Sequence, residues 1–368
     1  MSKNLKNKKI LHFITSLEKG GAEGALVRLI KQSRFEHKVI CLKSSGYWNE
    51  TLDRNKIEVL NLNINNVKTF LQGIRTANKF VKKYKPKVIQ SWLYHADFFA
   101  TLIYILNKNS QLFWNLRQTS LSFSGSSKSS LLIFLINIFL SRSFPYKIIC
   151  CGESVKKFHE NFFFPSKKLH VINNGFNLSQ PKENIVHKQK EVFFVGMAAR
   201  FDPQKNFDCL VEAFSIFSRK KKTKLILAGK DVFESNKVIS TLIKKFNIEK
   251  KISLLGLQED ITNFYNSINI HLLISNYGEG FPNVVAESMS MGIPNIVSNI
   301  GESKFIIGNT GWLLESNDPL ILASLMEKAY LEWKEDKIWD ERCKRTAFRI
   351  SENFNLDKMI LSYEKAWS

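Results

Sequence analysis

The chain is 368 residues long, with a net charge of +21, 44% hydrophobic residues and 24% charged ones. That composition excludes global disorder, and the length exceeds what one core usually serves, so two domains of about 100–200 residues each are expected. No apolar run reaches the roughly 18–20 residues needed to cross a bilayer, which argues against an integral membrane protein.

The charge is lopsided: residues 1–180 hold 28 Lys+Arg against 9 Asp+Glu, and residues 181–368 hold 26 against 24. A basic first half suggests a polyanionic partner, whether nucleic acid, an anionic membrane face or a charged acceptor; the blander alternative is a lysine bias that merely keeps the chain in solution. Five cysteines (Cys41, Cys150, Cys151, Cys209 and Cys343) lack the spacing of a zinc site or a disulfide framework, and fit a reducing cytosol. The basic start (Lys3, Lys6, Lys8, Lys9) precedes an apolar segment broken by His12. That segment is too short for a secretion signal and reads as a first strand.

In chain order, the first half alternates strand and helix. A strand at residues 11–15 is followed by a glycine turn and a helix at 25–31, where Leu26, Leu29 and Ile30 keep helical spacing. Strands follow at 37–42 and 56–62, an amphipathic helix at 67–82 stopped before Pro86, a strand at 87–92, a helix at 96–106, and strands at 113–117 and 147–151. Residues 131–140 are apolar apart from Asn137. They read as a buried helix or, more sharply, as a helix leaning into lipid headgroups beside Lys128, Arg142 and Lys147.

The pattern thins over residues 173–189, which contain Gly175 and Pro181 and read as a linker. The alternation then restarts, with strands at 192–197, 224–228, 252–255, 268–274 and 294–298 and helices at 206–217, 237–246, 261–266 and 283–291. Alternating β and α elements with short connections predict parallel sheets covered on both faces. The expected layout is a first domain at 1–175, a linker at 176–190, a second domain at 191–349, and a segment at 350–368 that crosses back to the first. Ligands of such sheets bind beyond the carboxyl ends of the strands, so the expected site is a cleft between the two lobes.

Three segments carry the chemistry. Gly20-Gly21-Ala22-Glu23 joins the first strand to the first helix. It allows close backbone approach to an anion at a helix start, or is simply a tight turn with Glu23 complementing the helix dipole. Arg200 and Lys205 lie five positions apart at the mouth of a helix. They could neutralise a diphosphate together, or form a surface pair in which Asp202 answers Arg200. Tyr277-Gly278-Glu279-Gly280-Phe281-Pro282-Asn283 leads into a helix opening at Pro282 that carries Glu287 among Val284, Val285, Ala286 and Met289. A carboxylate in so apolar a helix needs a partner, and the hydroxyls of a sugar or ribose would serve.

That last segment resembles the two-glutamate motif of retaining nucleotide-sugar glycosyltransferases of family 4, which have the GT-B fold. The resemblance runs through Gly20-Gly21-Ala22-Glu23, Asn173-Asn174-Gly175, Arg200 with Lys205, Ala228-Gly229-Lys230, Leu255-Gly256-Leu257, Glu279 to Glu287, and Met291-Gly292-Ile293-Pro294. Ser91-Trp92-Leu93-Tyr94-His95-Ala96-Asp97 and Trp114-Asn115-Leu116-Arg117 look like segments of bacterial surface-polysaccharide enzymes. The resemblance implies two Rossmann-like doubly wound parallel-sheet domains facing across a cleft. It implies that Arg200 and Lys205 hold the donor diphosphate and that Glu287 binds the ribose hydroxyls. Glu279 and the amides around Gly280, Phe281, Pro282 and Asn283 would orient the donor sugar. Gly20 and Gly21 would let the first loop close over the phosphates, and Gly256 and Leu257 would flank the base. His95 would contact the transferred sugar or the acceptor, or else be a structural residue capping the helix at Ala96. Arg117 stands where many members have a histidine, which points it toward a phosphate.

The implied function is transfer of a sugar, with retention, from a nucleotide diphosphate sugar, expected to be UDP-linked. The acceptor would be a lipid-linked or polysaccharide glycan of O-antigen, capsule or lipopolysaccharide. No metal or other cofactor is expected. The expected location is the cytoplasm, peripheral on the inner face of the cell membrane, with an anionic membrane surface as partner and no nucleic acid. The alternatives are a nucleotide-sugar epimerase on the same fold, or a non-enzymatic basic module for membrane or nucleic acid.

Overall fold

A computed structural model describes residues 8–119, 128–178 and 191–368. Lys3 and Lys6 of the basic start, and the expected linker from residue 179 onward, lie outside the described residues. The chain divides into two compact units. The first comprises residues up to Gly175 together with Leu356–Ser368, and the second is Phe176–Asn355.

The first unit runs β1 (Lys9–Ile14), α1 (Gly21–Gln32), β2 (Glu36–Cys41), α2 (Trp48–Arg54), β3 (Val59–Asn61), α3 (Val67–Tyr84), β4 (Val88–Trp92), α4 (Tyr94–Leu106), β5 (Gln111–Leu116), α5 (Lys128–Ser143), β6 (Lys147–Cys150), α6 (Glu153–Asn161) and β7 (Leu169–Val171). Its seven-stranded sheet has the order β3-β2-β1-β4-β5-β6-β7, and every pairing is parallel. The order reverses between β1 and β4. A switch point of this kind opens a crevice beyond the strand ends.

The second unit runs β8 (Phe193–Ala198), α7 (Phe207–Phe217), β9 (Thr223–Ala228), α8 (Lys237–Lys245), β10 (Ile252–Leu254), α9 (Ile261–Asn266), β11 (Ile270–Leu273), α10 (Asn283–Ser290), β12 (Asn295–Ser298), α11 (Ser303–Ile307), β13 (Trp312–Leu314), α12 (Pro319–Lys334) and α13 (Asp336–Asn353). Its six strands are ordered β10-β9-β8-β11-β12-β13, again all parallel, with the switch between β8 and β11. The last helix, α14 (Leu356–Trp367), belongs to the first unit.

Each sheet is buried on both faces, which explains the near-continuous Val, Ile and Leu runs of the strands. In the second unit, Phe193, Val195, Leu225, Leu227, Ile270 and Leu272 pack with α7 and α12 on one face. Phe264, Tyr265, Met291 and Ile293 cover the other. In the first unit, α1 and α14 cover one face together. Trp92, Tyr363 and Trp367 are all buried there, and Trp367 Nε1 donates to Gln90 Oε1 at 3.0 Å.

Sequence periodicity misses α2, α6, α11, α12 and α13, and also β7 and β13. The reasons are local. Only Leu52 of α2 is buried, and α13 buries only Trp339, Thr346 and Ile350 of 18 residues. β7 and β13 are three-residue edge strands, too short to show alternation. Pro282 is the residue before α10 rather than its first helical residue: its ψ of 97° is extended, and the helix begins at Asn283.

Candidate active site

The expected site residues fall into two groups, one on each unit, both at the carboxyl ends of strands. In the second unit the loop after β8 folds on itself. Asp202 caps the turn by accepting from the Gln204 amide at 2.9 Å. Arg200 donates through Nε to Asp202 Oδ2 (3.0 Å) and through Nη2 to Gln204 Oε1 (3.0 Å). Burial alone would raise the Asp202 pKa, but the Gln204 amide and the Arg200 charge outweigh it and hold the carboxyl below its ordinary range. Gln204 in turn donates to the Tyr277 carbonyl at 2.8 Å, which ties this loop to the glutamate segment.

Lys205 and Glu279 form the centre of this group. Lys205 Nζ ion-pairs with Glu279 Oε1, and their side chains are only 12% and 9% exposed. Ser275 Oγ donates to the same carboxylate oxygen at 2.6 Å. Glu279 is therefore neither a surface residue nor merely a dipole complement. A buried carboxylate is tolerated here because a cation and a hydroxyl satisfy it. Beyond it, Gly280 O accepts from the Glu302 amide at 3.0 Å. That packing depends on Gly301, at φ +59°, where an added Cβ would lie 2.0 Å from Glu279 O.

The outer wall comes from the loops after β9 and β10. The Phe201 amide donates to Lys230 O (2.8 Å), and the Gly229 amide to Gly256 O (2.8 Å). Gly229, at φ +148°, leaves only 1.9 Å between an added Cβ and Ala199 O. Leu257, the residue after Gly256, is exposed. On α10, Glu287 is half-buried, and its Oε2 lies 3.4 Å from the hydroxyl of the buried Tyr265, within reach of a donated bond. Burial, then the Glu287 charge, pushes the Tyr265 hydroxyl well up. Phe281 is buried and stacked on Phe176 (6.1 Å between centroids), so its side chain anchors the segment while its backbone forms the loop.

Beneath these loops lies a network that the sequence reading missed. The β11–β8 ladder ends at His271 opposite Gly196, so the Ala198 amide has no strand partner on that side. His271 Nε2 accepts it instead, at 3.2 Å. The imidazole proton therefore sits on Nδ1, which donates to Asn295 Oδ1 at 2.7 Å. Asn295 Nδ2 donates to Ser288 Oγ at 2.9 Å, beside Glu287 on α10. Burial lowers the His271 pKa to about 4, with the Asn295 bond opposing and the Lys205 charge adding. One neutral ring thus links the strand leading to Arg200 with the helix carrying Glu287. The available signal was a single imidazole inside the apolar run Ile270-His271-Leu272-Leu273.

In the first unit, Gly20 precedes α1 and Gly21 opens it. Glu23 is buried in the first turn and accepts from Ser16 Oγ at 3.1 Å. Burial raises its pKa, against its own backbone amide, Ser16 and the Arg117 charge. Arg117 lies over the Trp92 ring (5.4 Å), donates to Asn115 Oδ1 (3.1 Å), and binds Asn174 Oδ1 of the Asn173-Asn174-Gly175 turn. His95 is the second residue of α4, half-buried, and the position before the helix is Leu93, so His95 is not its cap. Burial, then Lys43, lowers its pKa. Leu93 has φ +74°. Such a backbone costs a non-glycine residue on the order of 1–3 kcal/mol and clusters at functional sites. Below it, Ser91 Oγ donates at 2.6 Å to Asp97, which is fully buried and whose pKa burial pushes well up. All five cysteines are free. Among the described residues, no three His, Cys, Asp or Glu side chains group as metal ligands would.

These two parallel α/β units, each with polar groups at its strand ends, have the GT-B fold. Anabaena HepE, solved in complex with UDP-glucose, superposes with a TM-score of 0.84 at 18% identity, over 97% of this chain and 98% of that one. Residues 177–346, most of the second unit, match the family described as Glycosyl transferases group 1. The chain is 27% identical over 229 residues to the Escherichia coli UDP-Gal:alpha-D-GlcNAc-diphosphoundecaprenol alpha-1,3-galactosyltransferase, covering 58% of each. It is 23% identical over 214 residues to the Bacillus anthracis N-acetyl-alpha-D-glucosaminyl L-malate synthase, covering 58% of this chain and 52% of that one. The matched stretches thus span little more than half the length of these relatives.

Proposed function

We propose that this chain is a retaining glycosyltransferase of family 4 that moves a sugar from a UDP-linked donor to a lipid-linked or polysaccharide acceptor in cell-surface glycan assembly. On this reading it works in the cytoplasm at the inner face of the membrane. The observation that carries the proposal is the buried Lys205–Glu279 pair, flanked by Arg200, within the region that matches the family. The reading is supported by the E. coli relative, named for a UDP-galactose donor and a diphosphoundecaprenol acceptor, and by the UDP-glucose complex of HepE.

In this reading the C1–O bond to the β-phosphate breaks, and a bond forms between C1 and an acceptor oxygen on the same face. The acceptor proton passes to the departing diphosphate. Negative charge grows on that diphosphate, where Arg200, Lys205 and the amides near Gly280 and Asn283 would meet it. Two side-chain cations there do the work a metal does in other transferases. Glu279 would exchange part of its bond with Lys205 for sugar hydroxyls, Glu287 would take the ribose, and Gly256 and Leu257 would flank the base. His95, Gly20, Gly21 and Arg117 would serve the transferred sugar and the phosphates from the first unit.

The test is thermal unfolding with a panel of nucleotide sugars. A donor at 100 times its Kd stabilises the folded protein by about 2.7 kcal/mol, a rise of about 2–4 °C. The expected result is such a rise with one UDP-sugar, and release of UDP once acceptor is added. A panel that shifts nothing removes the proposal, and release of a rearranged nucleotide sugar without acceptor would indicate the epimerase instead.

A further inference from the structure

Helix α5 is apolar on both sides: it buries Phe134 and Ile138 inward and exposes other large apolar side chains outward. Its polar residues Asn137 and Ser141 are fully buried, and Asn137 Nδ2 donates to the Tyr94 carbonyl at the start of α4 at 2.9 Å. Its outward side carries Leu132, Leu135 and Phe139, exposed by 59%, 47% and 70%. These positions share one stripe of the helix, and Arg142 continues it. No acidic residue occurs in the helix. At 16 residues it is about 24 Å long, and no helix among the described residues is long and apolar enough to cross a membrane.

The surroundings repeat the pattern. Phe162, just past α6, packs on Phe134 of α5, with ring centroids 5.4 Å apart. The next residue, Phe163, is 73% exposed and takes φ +65°, a conformation disfavoured for a bulky residue. Cations sit beside the apolar groups. Arg142 lies over the Phe139 ring at 5.8 Å, and Lys147 over the exposed Tyr146 at 5.5 Å. Lys168 binds the carbonyl of Arg142 at 2.8 Å. Residues 128–178 contain seven Lys+Arg and two Asp+Glu.

We propose that this face of the first unit docks on an anionic lipid bilayer, with α5 lying in the headgroup layer. Apolar groups ringed by cations fit a surface that is apolar below and negative above. A second copy of the chain would bring the same positive rim against itself, and like charges oppose that contact. The Asn137 bond ties the docked helix to the β4–α4 junction that carries His95, so an acceptor anchored in the bilayer would arrive at that end of the sheet. This names the membrane partner of the function proposed above and rests on it for its purpose. Vesicle binding needs neither donor nor transfer, so the two proposals fail separately.

The test is flotation of the full chain with vesicles of phosphatidylcholine alone or with about 30% phosphatidylglycerol, whose negative surface attracts basic segments. The expected result is at least ten-fold stronger binding to the anionic vesicles. Leu132→Ser/Leu135→Ser/Phe139→Ser should lose most of that binding with an unchanged circular dichroism spectrum, because the three side chains face outward. Phe163→Ser, on a separate segment, should weaken it several-fold. Equal binding to both vesicles overturns the proposal. So does a triple variant that binds as the parent does, or one whose only change is from dimer to monomer by light scattering.

Discussion

Arg200 and Lys205 have the same charge and the same proposed role, but their surroundings make their removal unequal. The side chains of Arg200 and Asp202 are 56% and 31% exposed. An exposed pair of this kind contributes about 0–1 kcal/mol. Lys205 and Ser275 are what make the buried Glu279 carboxylate tolerable, and breaking such a pair from one side costs about 3–5 kcal/mol. Arg200→Ala should therefore unfold at nearly the parent temperature, whereas Lys205→Ala should be markedly less stable. Lys205→Met/Glu279→Gln should recover most of that stability without recovering transfer. Each single variant is expected to lose at least 100-fold in transfer rate, the size typical of removing one transition-state donor. Equal unfolding temperatures for Arg200→Ala and Lys205→Ala would contradict the buried pair.

At the scale of elements, α14 shows how a short segment can decide the fate of a whole unit. It buries Leu356, Met359, Ile360, Tyr363 and Trp367 on the first sheet. It also contributes two interior bonds, from Asn115 to the Tyr363 hydroxyl (2.6 Å) and from Trp367 to Gln90 (3.0 Å). Glu364 binds the Arg34 guanidinium and the Ser33 hydroxyl at the end of α1. Truncating the deeply buried Trp367 to Ala should cost about 3–5 kcal/mol, and the orphaned Gln90 adds to that. Deletion of residues 356–368 should leave the first unit unable to fold stably while the second retains its structure. Limited proteolysis checks this: a surviving fragment within 176–355 is expected, and equal loss of both units would count against it. Sequence periodicity found α3, α4 and α7 because each buries a regular stripe. It missed α13 because so little of that helix is buried.

For the whole molecule, buried imidazoles set the acid response. Burial lowers His37 to about 3 and His159 and His271 to about 4, and lowers His12 well below its ordinary value. Their folded-state pKa values lie below the unfolded one, so the folded chain binds fewer protons. The stability they contribute is fully present above about pH 6.5 and is lost as pH falls toward 4, by roughly 3 kcal/mol for a group shifted from 6.5 to about 4. The unfolding temperature should thus fall already between pH 6.5 and 5, where most exposed carboxylates remain ionised. A flat profile over that range would mean that these rings are open to water.

Two parallel α/β units, the loops that end their strands, and the Arg200, Lys205 and Glu279–Glu287 segments were legible in the sequence. Apolar periodicity, and glycine and charged residues at strand ends, are local properties. What the side chains do to one another was not legible, because it depends on contacts between residues far apart in the chain. Lys205 meets Glu279 across 74 positions, His271 meets Ala198 across 73, and Arg117 meets Asn174 across 57. The apolar run of residues 131–140 illustrates the divide. Its composition left a core helix and a lipid-facing helix both open, and only the packing against α4 decided that Asn137 points inward and Phe139 outward.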